Sequence, residues 1–348
     1  MNNNEVRIAF VGLGARGLTA LRLMLPVNGA QVTALCDITA DGVNAALELI
    51  SSISNREQSR QPSPLSFVGQ DAFAEVCRLD NVDLIYVCSN WQSHTRIALQ
   101  AMSCGKHVAI EVPAALTLDD IQQLITMSQR SGCHCFMLEN CCYDPAIEAA
   151  IRDVRRGDIG EPVHAEGSYY HHLADRWTRW RLDINRHQRG DLYPTHEMAP
   201  LCQALGIGID DELHTLVAMD SAPMSGAATY KQLTGSDVAD FQNGDHTTTL
   251  IRTRRGRTIL LKHDVLTEQP YERMFRIIGT KGIREVTDRG NTSHETLTLR
   301  MNERLIGHLI NHEPLDWDVY DMARWCAVIP LSRLSIEQGF MPVPFPEF

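Results

Sequence analysis

The stretch that most constrains this chain is Val6 to Gly17, VRIAFVGLGARG, followed by Asp37 at the end of QVTALCD. An apolar run that reads as a buried strand enters Gly12-x-Gly14-x-x-Gly17, and a helical pattern, LTALRLML, leaves it. The first glycine permits a tight turn, the second lets the backbone approach a pyrophosphate, and the third lets the helix pack close to the strand. The helix N-terminus then offers N–H groups and a partial positive charge to phosphates. A carboxylate at Asp37 can accept both hydroxyls of an adenosine ribose and would repel a 2′-phosphate. Ile38 and Thr39 supply no cation to hold such a phosphate. The expected cofactor is therefore NAD.

At 348 residues the chain exceeds one ordinary core, which predicts two domains. A formal charge of −11 and a pI near 5.7 argue against a nucleic-acid surface. No apolar run approaches a membrane span, and MNNNEVRIAF runs directly into the first strand without a leader pattern, so a cytoplasmic protein with no membrane partner is expected. Cys133, Cys135, Cys141 and Cys142 cluster, and a metal or disulfide reading is available. HCFMLENCC alternates like a buried strand, however, and reduced, buried thiols are the simpler expectation.

From Val6 to about Arg156 strands and helices alternate, which predicts a doubly wound parallel sheet of the Rossmann type, a dinucleotide-binding domain over residues 1–156. A helix is expected to about Ile50, then a polar surface loop through SSISNREQSRQPSPLS. The strand NVDLIYVCSN ends in Trp91-Gln92-Ser93-His94, at the carboxyl edge where ligands bind in such sheets. The strands KHVAIEVP and CHCFMLEN bring Glu111 and Asn140 to the same crevice. Beyond about Gly157 consecutive strand patterns follow one another, with a hairpin turn at Arg254 to Arg257. They predict an α+β domain over residues 157–348 with a large, mainly antiparallel sheet. A helix is expected after Pro194, and two more, Leu297 to Asn311 and Trp317 to Gln338, are expected to pack beside the first domain. The sheet could support a homo-oligomer.

Tyr193-Pro194-Thr195-His196 concentrates protonatable groups just before a helix, and a histidine with an ordinary pKa of roughly 6.5 suits both acid and base work. His171-His172 invites a metal reading. Adjacent residues on a strand point to opposite faces, so no shared ion, and no metal, is expected.

At Glu111-Val112-Pro113 the sequence resembles the Gfo/Idh/MocA oxidoreductases, in which a lysine commonly stands where this chain has Val112 and assists proton transfer from a substrate hydroxyl. It resembles glycoside hydrolase family 109, the NAD-dependent α-N-acetylgalactosaminidases, more closely. The matching stretches are EVPAA (111–115), MLENCCYD (137–144), GEPVHAEGSYYHHL (160–173), WRL (180–182), DLYPTH (191–196), HDVLTEQPYERM (263–274), GTKG (279–282) and PLDWDVYDMARW (314–325). The resemblance implies that Ala15, Arg16, Asp37, Trp91 to His94, Glu111, Val112 and Asn140 contact NAD. It implies a sugar site at Tyr169, Arg181, Tyr193, Pro194, Thr195, His196 and Tyr271, with His196 and Tyr193 handling protons.

The route it implies is redox-neutral. Hydride leaves C3 of the sugar, the C2 proton is removed, the C1 substituent is eliminated, water adds and the hydride returns. A paired-carboxylate mechanism does not fit, because Glu111 is committed to the cofactor. The alternatives are an NAD-dependent sugar or polyol dehydrogenase and a silent NAD-binding sensor. The chain also departs from the family pattern. Where the family carries a long segment before an HGGMDF motif, eleven positions separate Gly282 from His294 and the motif reads HETLTL, while HEMAP stands in place of HGLGP.

Overall fold

The computed structural model describes residues 4–57, 63–173 and 177–348. Residues 1–3 of the expected leaderless start and 58–62 of the polar loop lie outside the described residues. Two compact units divide the chain. The first comprises Met1–Ala115, Asp119–Asn140 and His294–Ala323, and the second Leu116–Leu118, Cys141–Ser293 and Arg324–Phe348.

The first unit holds a six-stranded parallel sheet in the order β3-β2-β1-β4-β5-β6. Its strands are β1 Val6–Val11, β2 Ala30–Asp37, β3 Leu65–Val68, β4 Leu84–Val87, β5 His107–Ile110 and β6 Cys135–Met137. They alternate with α1 Ala15–Met24, α2 Ala40–Glu57, α3 Phe73–Cys77, α4 Trp91–Ser103 and α5 Leu118–Ser131. Every residue of β4 is buried, as the continuous apolar run LIYV requires of a strand covered on both faces. The order reverses between β1 and β4, and the carboxyl ends there define the ligand crevice of a doubly wound sheet.

Two expectations are corrected. Helix α2 runs to Glu57, past Ile50, because Ile50 and Ile53 continue its apolar stripe into the polar stretch. Strand β6 is short: the Glu139 N–H turns back to the Met137 carbonyl at 2.9 Å, and Asn140 opens a 3-10 helix, Asn140–Tyr143, rather than ending a strand.

The second unit is built on a seven-stranded sheet, β12-β11-β7-β10-β9-β8-β13. Its strands are β7 Pro162–Tyr170, β8 Leu213–Asp220, β9 His246–Thr253, β10 Thr258–Asp264, β11 Glu272–Gly279, β12 Gly282–Asp288 and β13 Val343–Pro344. All neighbours are antiparallel except β7 and β10, which run parallel in the middle of the sheet. The helices are α6 Pro145–Arg155, α7 Arg179–His187, α8 Thr195–Leu205 and α9 Met224–Thr234. Sequence pattern did not reveal α7 or α9. Helix α9 contains Gly226, where a Cβ would stand 2.2 Å from the Phe241 ring, so packing and not helix propensity chose that glycine. Strand β7 ends at Tyr170, so His171 and His172 lie beyond it and the opposite-faces argument does not apply to them.

The C-terminal third contributes α10 His294–Asn311, α11 Val319–Cys326 and α12 Val328–Glu337. The single helix expected over Trp317 to Gln338 is two. Pro330 falls in the first turn of α12, where its missing N–H costs nothing, and the chain breaks at Ala327 before it. Helix α10 presents Leu297, Met301, Leu305 and Leu309 as a buried stripe and packs on α1 and β1. Its Ile310 closes over Gly29, where a Cβ would meet Ile310 Cδ1 at 2.3 Å. No helix among the described residues is long and apolar enough to cross a membrane.

Candidate active site

In the first unit, Gly12 sits at φ +95°, and a Cβ there would lie 2.6 Å from the Cys88 and Ser89 backbone. At Gly17 a Cβ would stand 2.0 Å from the Gly12 carbonyl oxygen, which is the close helix-to-strand approach the third glycine permits. Gly14 differs: it caps α1 with no side-chain hydrogen bond, and nothing lies within 4 Å of where its Cβ would be. Open space beside a helix N-terminus, into which a side chain would project, fits a dinucleotide pyrophosphate, and Ala15 and Arg16 follow it. Gly14→Val is accordingly expected to leave the urea unfolding midpoint nearly unchanged and to weaken NAD binding by about tenfold or more, roughly 1.4 kcal/mol. Gly17→Ala, which must move backbone, is expected to lower the midpoint itself. Equal stability of the two variants would contradict this division.

Asp37 ends β2 with its carboxylate accepting the Leu13 N–H at 2.7 Å and the Thr39 N–H at 2.8 Å, which ties the glycine loop to the strand. A carboxylate has further lone pairs, so these bonds are compatible with ribose hydroxyls. Trp91 to His94 form the first turn of α4 rather than the end of the strand, capped by the Asn90 side chain accepting from the Ser93 N–H. Trp91 and His94 face inward. His94 is fully buried with its ring nitrogens 2.9 Å from the Pro113 carbonyl and 3.0 Å from that of Ser89, so it builds the turn, while Gln92 is exposed and Ser93 is half-buried with its hydroxyl on Ser89 and Asn90. Glu111 is buried and held by Arg16, whose Nε donates to it at 2.7 Å. Val112, also buried, precedes Pro113 through a cis bond. Asn140 Nδ2 donates to Thr298 Oγ1 at 2.9 Å and lies 3.1 Å from a ring nitrogen of His294.

In the second unit, α8 approaches β7 closely because residue 167 is glycine: a Cβ there would meet Glu197 Cβ at 2.7 Å. That approach sets His196 edge-on to Tyr169, ring centres 5.2 Å apart, and Tyr193 edge-on to His196 at 4.9 Å. Tyr271 stands 6.3 Å from Tyr169, and the Tyr169 hydroxyl meets His171 Nδ1 at 2.8 Å. Burial pushes the Tyr169 phenol well up and that of Tyr271 to about 12, so both stay protonated donors. Pro194 caps α8, and the Thr195 hydroxyl is buried with no partner among the described residues. Arg181, on α7, lies over the Trp180 ring at 5.0 Å, and its neighbour Leu182 packs into the same apolar cluster as Tyr169.

Sequence reasoning missed a second layer. His263, on β10, pairs in register with Tyr169 and stacks on it at 6.1 Å, and its Nδ1 lies 3.7 Å from Asp191 Oδ1. Both are buried. Burial raises Asp191 to about 7 and depresses His263 to about 4. The signs oppose. Asp191, titrating near 3.9 unfolded, is stabilising below that value and loses its contribution as pH rises to about 7. His263, near 6.5 unfolded, contributes above that value and loses it as pH falls to about 4. Asp191→Asn is expected to make stability rise between about pH 4 and 6.5, and His263→Gln to make it fall between about pH 4 and 7, each by at most about 1.4 kcal/mol per pH unit. Urea midpoints at several pH values check this; slopes of the same sign in the two variants would refute the pairing.

A family described as an oxidoreductase with an NAD-binding Rossmann fold matches residues 6–139, and the glycosyl hydrolase 109 C-terminal domain matches 174–292 and 284–348. Glycosyl hydrolase family 109 protein 1 of Bacteroides thetaiotaomicron is 38% identical over 400 positions, covering 99% of this chain and 84% of that protein. The chain belongs to glycosyl hydrolase family 109. A family 109 protein of Porphyromonas gingivalis is also 38% identical over 99% of this chain and 84% of its own length. An alignment of 400 positions requires gaps in a 348-residue chain, and the C-terminal domain matches in two segments that overlap at 284–292, from within β12 to just before α10. Solved structures share the fold at low identity. A probable dehydrogenase from Thermotoga maritima has a TM-score of 0.78 at 17% identity, covering 97% of this chain and 98% of that one. A myo-inositol 2-dehydrogenase from Lactobacillus plantarum has a TM-score of 0.79 at 15%, covering 98% and 100%. The cofactor of this family 109 chain is NAD, and its N-terminal sheet is the Rossmann fold that binds it.

Proposed function

We propose that the protein is an NAD-dependent glycosidase acting on a sugar or amino-sugar glycoside without net redox. The observation that carries this is the cluster of Tyr169, Tyr193, His196 and Tyr271 in a chain of family 109, with the Thr195 hydroxyl beside His196 in sequence buried and without a partner among the described residues. On this reading residues 1–156 serve the cofactor, joined by α10 from the later part of the chain, and the rest of 157–348 serves the sugar. NAD, when bound, takes up the C3 hydride of the sugar and gives it back. Gly12, Gly14, Ala15, Arg16, Gly17, Asp37, Gln92, Ser93, Glu111 and Asn140 hold and orient it.

Val112 cannot move a proton, so the proton transfers at C2 and C3 fall to His196 and Tyr193. The neutral phenols of Tyr169 and Tyr271 donate to sugar hydroxyls, Thr195 supplies a further hydroxyl, and Arg181 faces an oxygen on which charge develops. The test uses purified protein, aryl glycosides and deuterated water. Aglycone release with deuterium at C2 and no net NADH is expected. Steady NADH accumulation from a free sugar would replace this reading with a dehydrogenase. Inactivity across a broad glycoside panel despite bound NAD would replace it with a sensor.

A further inference from the structure

We propose that Thr298 is a positioning residue of the cofactor site. Its single hydroxyl fixes two side chains assigned to NAD that lie far apart in sequence. The side chain is fully buried on α10. Oγ1 accepts from Asn140 Nδ2 at 2.9 Å and from Arg16 Nη2 at 3.4 Å, and donates to the His294 carbonyl at 3.1 Å. A hydroxyl has one proton and two acceptor positions, so these three bonds use all of it. The Arg16 guanidinium is held on its other side by Glu111, 2.7 Å away, and the Asn140 amide by His294.

The consequence is directional. With Nδ2 tied to Thr298 and His294, the amide of Asn140 is held in one orientation. Arg16 cannot swing away from the glycine loop without breaking two contacts. Thr298 thus joins Arg16, which follows the glycine loop, to Asn140, which follows β6, through one oxygen atom. The inference rests on the reading that Arg16 and Asn140 face NAD.

The test measures NAD affinity by tryptophan fluorescence and by calorimetry, without substrate. Thr298→Val replaces the hydroxyl with a methyl of the same size and is expected to weaken NAD binding about tenfold, whereas Thr298→Ser is expected to stay within about twofold of wild type. Thr298→Ala serves as a second variant should the valine crowd the helix, and apo unfolding midpoints identify any variant that fails to fold. In an Arg16→Ala background the effect of Thr298→Val is expected to shrink, since one of its two targets is gone. If wild type does not bind NAD, the underlying assignment fails. If wild type binds and the valine and alanine variants bind equally well, or if serine is as weak as valine, Thr298 does not act through its hydroxyl and the proposal is overturned.

Discussion

His196→Ala is expected to lower turnover by about 10²- to 10⁴-fold, the range supplied by a general acid or base, while NAD affinity stays within about twofold of wild type. The asymmetry follows from where the groups stand. His196 belongs to α8 of the second unit, whereas the glycine turn, Asp37 and the Arg16–Glu111 pair belong to the first. Truncation also leaves a cavity beside Tyr169, so His196→Asn, which keeps a polar group in the space, is the companion variant. Both are expected to lose kcat and to retain a cooperative thermal transition. Tyr193→Phe keeps the ring that packs on His196 and removes only the hydroxyl, so it separates proton transfer from packing. Full activity in either His196 variant would show that the acid/base lies elsewhere.

Arg273→Met is expected to lower stability by about 3–5 kcal/mol, a large part of the roughly 5–15 kcal/mol typical of a folded protein. Arg273 on β11 has a side chain only 3% exposed, and its Nη2 donates to Asp144 at 3.2 Å and to Asp288 at 3.3 Å. Each carboxylate has a second duty. Asp144 caps α6 by accepting from the Ala146 N–H, and Asp288 accepts from the N–H groups of Gly290, Asn291 and Thr292 after β12. Methionine fills the volume but leaves two buried carboxylates without their cation, so a cap and a turn weaken together. Arg273→Lys keeps the charge without the fork and is expected to recover part of the loss. A urea midpoint within about 1 kcal/mol of wild type for the methionine variant would mean the carboxylates find other compensation.

The cofactor side was legible in sequence because its demands are local. A backbone at φ +95° and helix-to-strand contacts too close for a Cβ select glycine at fixed spacing, and Asp37 follows at the next strand end. Tyr193 to His196 were legible for a similar reason, since a turn before a helix gathers them. His263 and Thr298 were not. His263 reaches Tyr169 only because β10 pairs in parallel with β7, and Thr298 reaches Asn140 only because α10 belongs to the first unit. Residue spacing carries no trace of either pairing. The same limit explains Asn140: apolar alternation through CFMLEN reads as one strand, whereas a tight turn at Glu139 ends it early.

Helix α10 also sets an order of assembly. The first unit begins the chain, yet α10, which packs on α1 and β1 and closes over Gly29, is translated only after Cys141–Ser293. A nascent chain therefore carries an apolar flank on α1 and β1 that no earlier residue of α10 can cover, through the synthesis of the whole intervening sheet. Ribosome-bound fragments ending before His294 should be captured by chaperones or aggregate, and fragments extended past Asn311 should resist protease over Val6–Met24. Protection that appears before His294 is made would show that the flank is covered by other means.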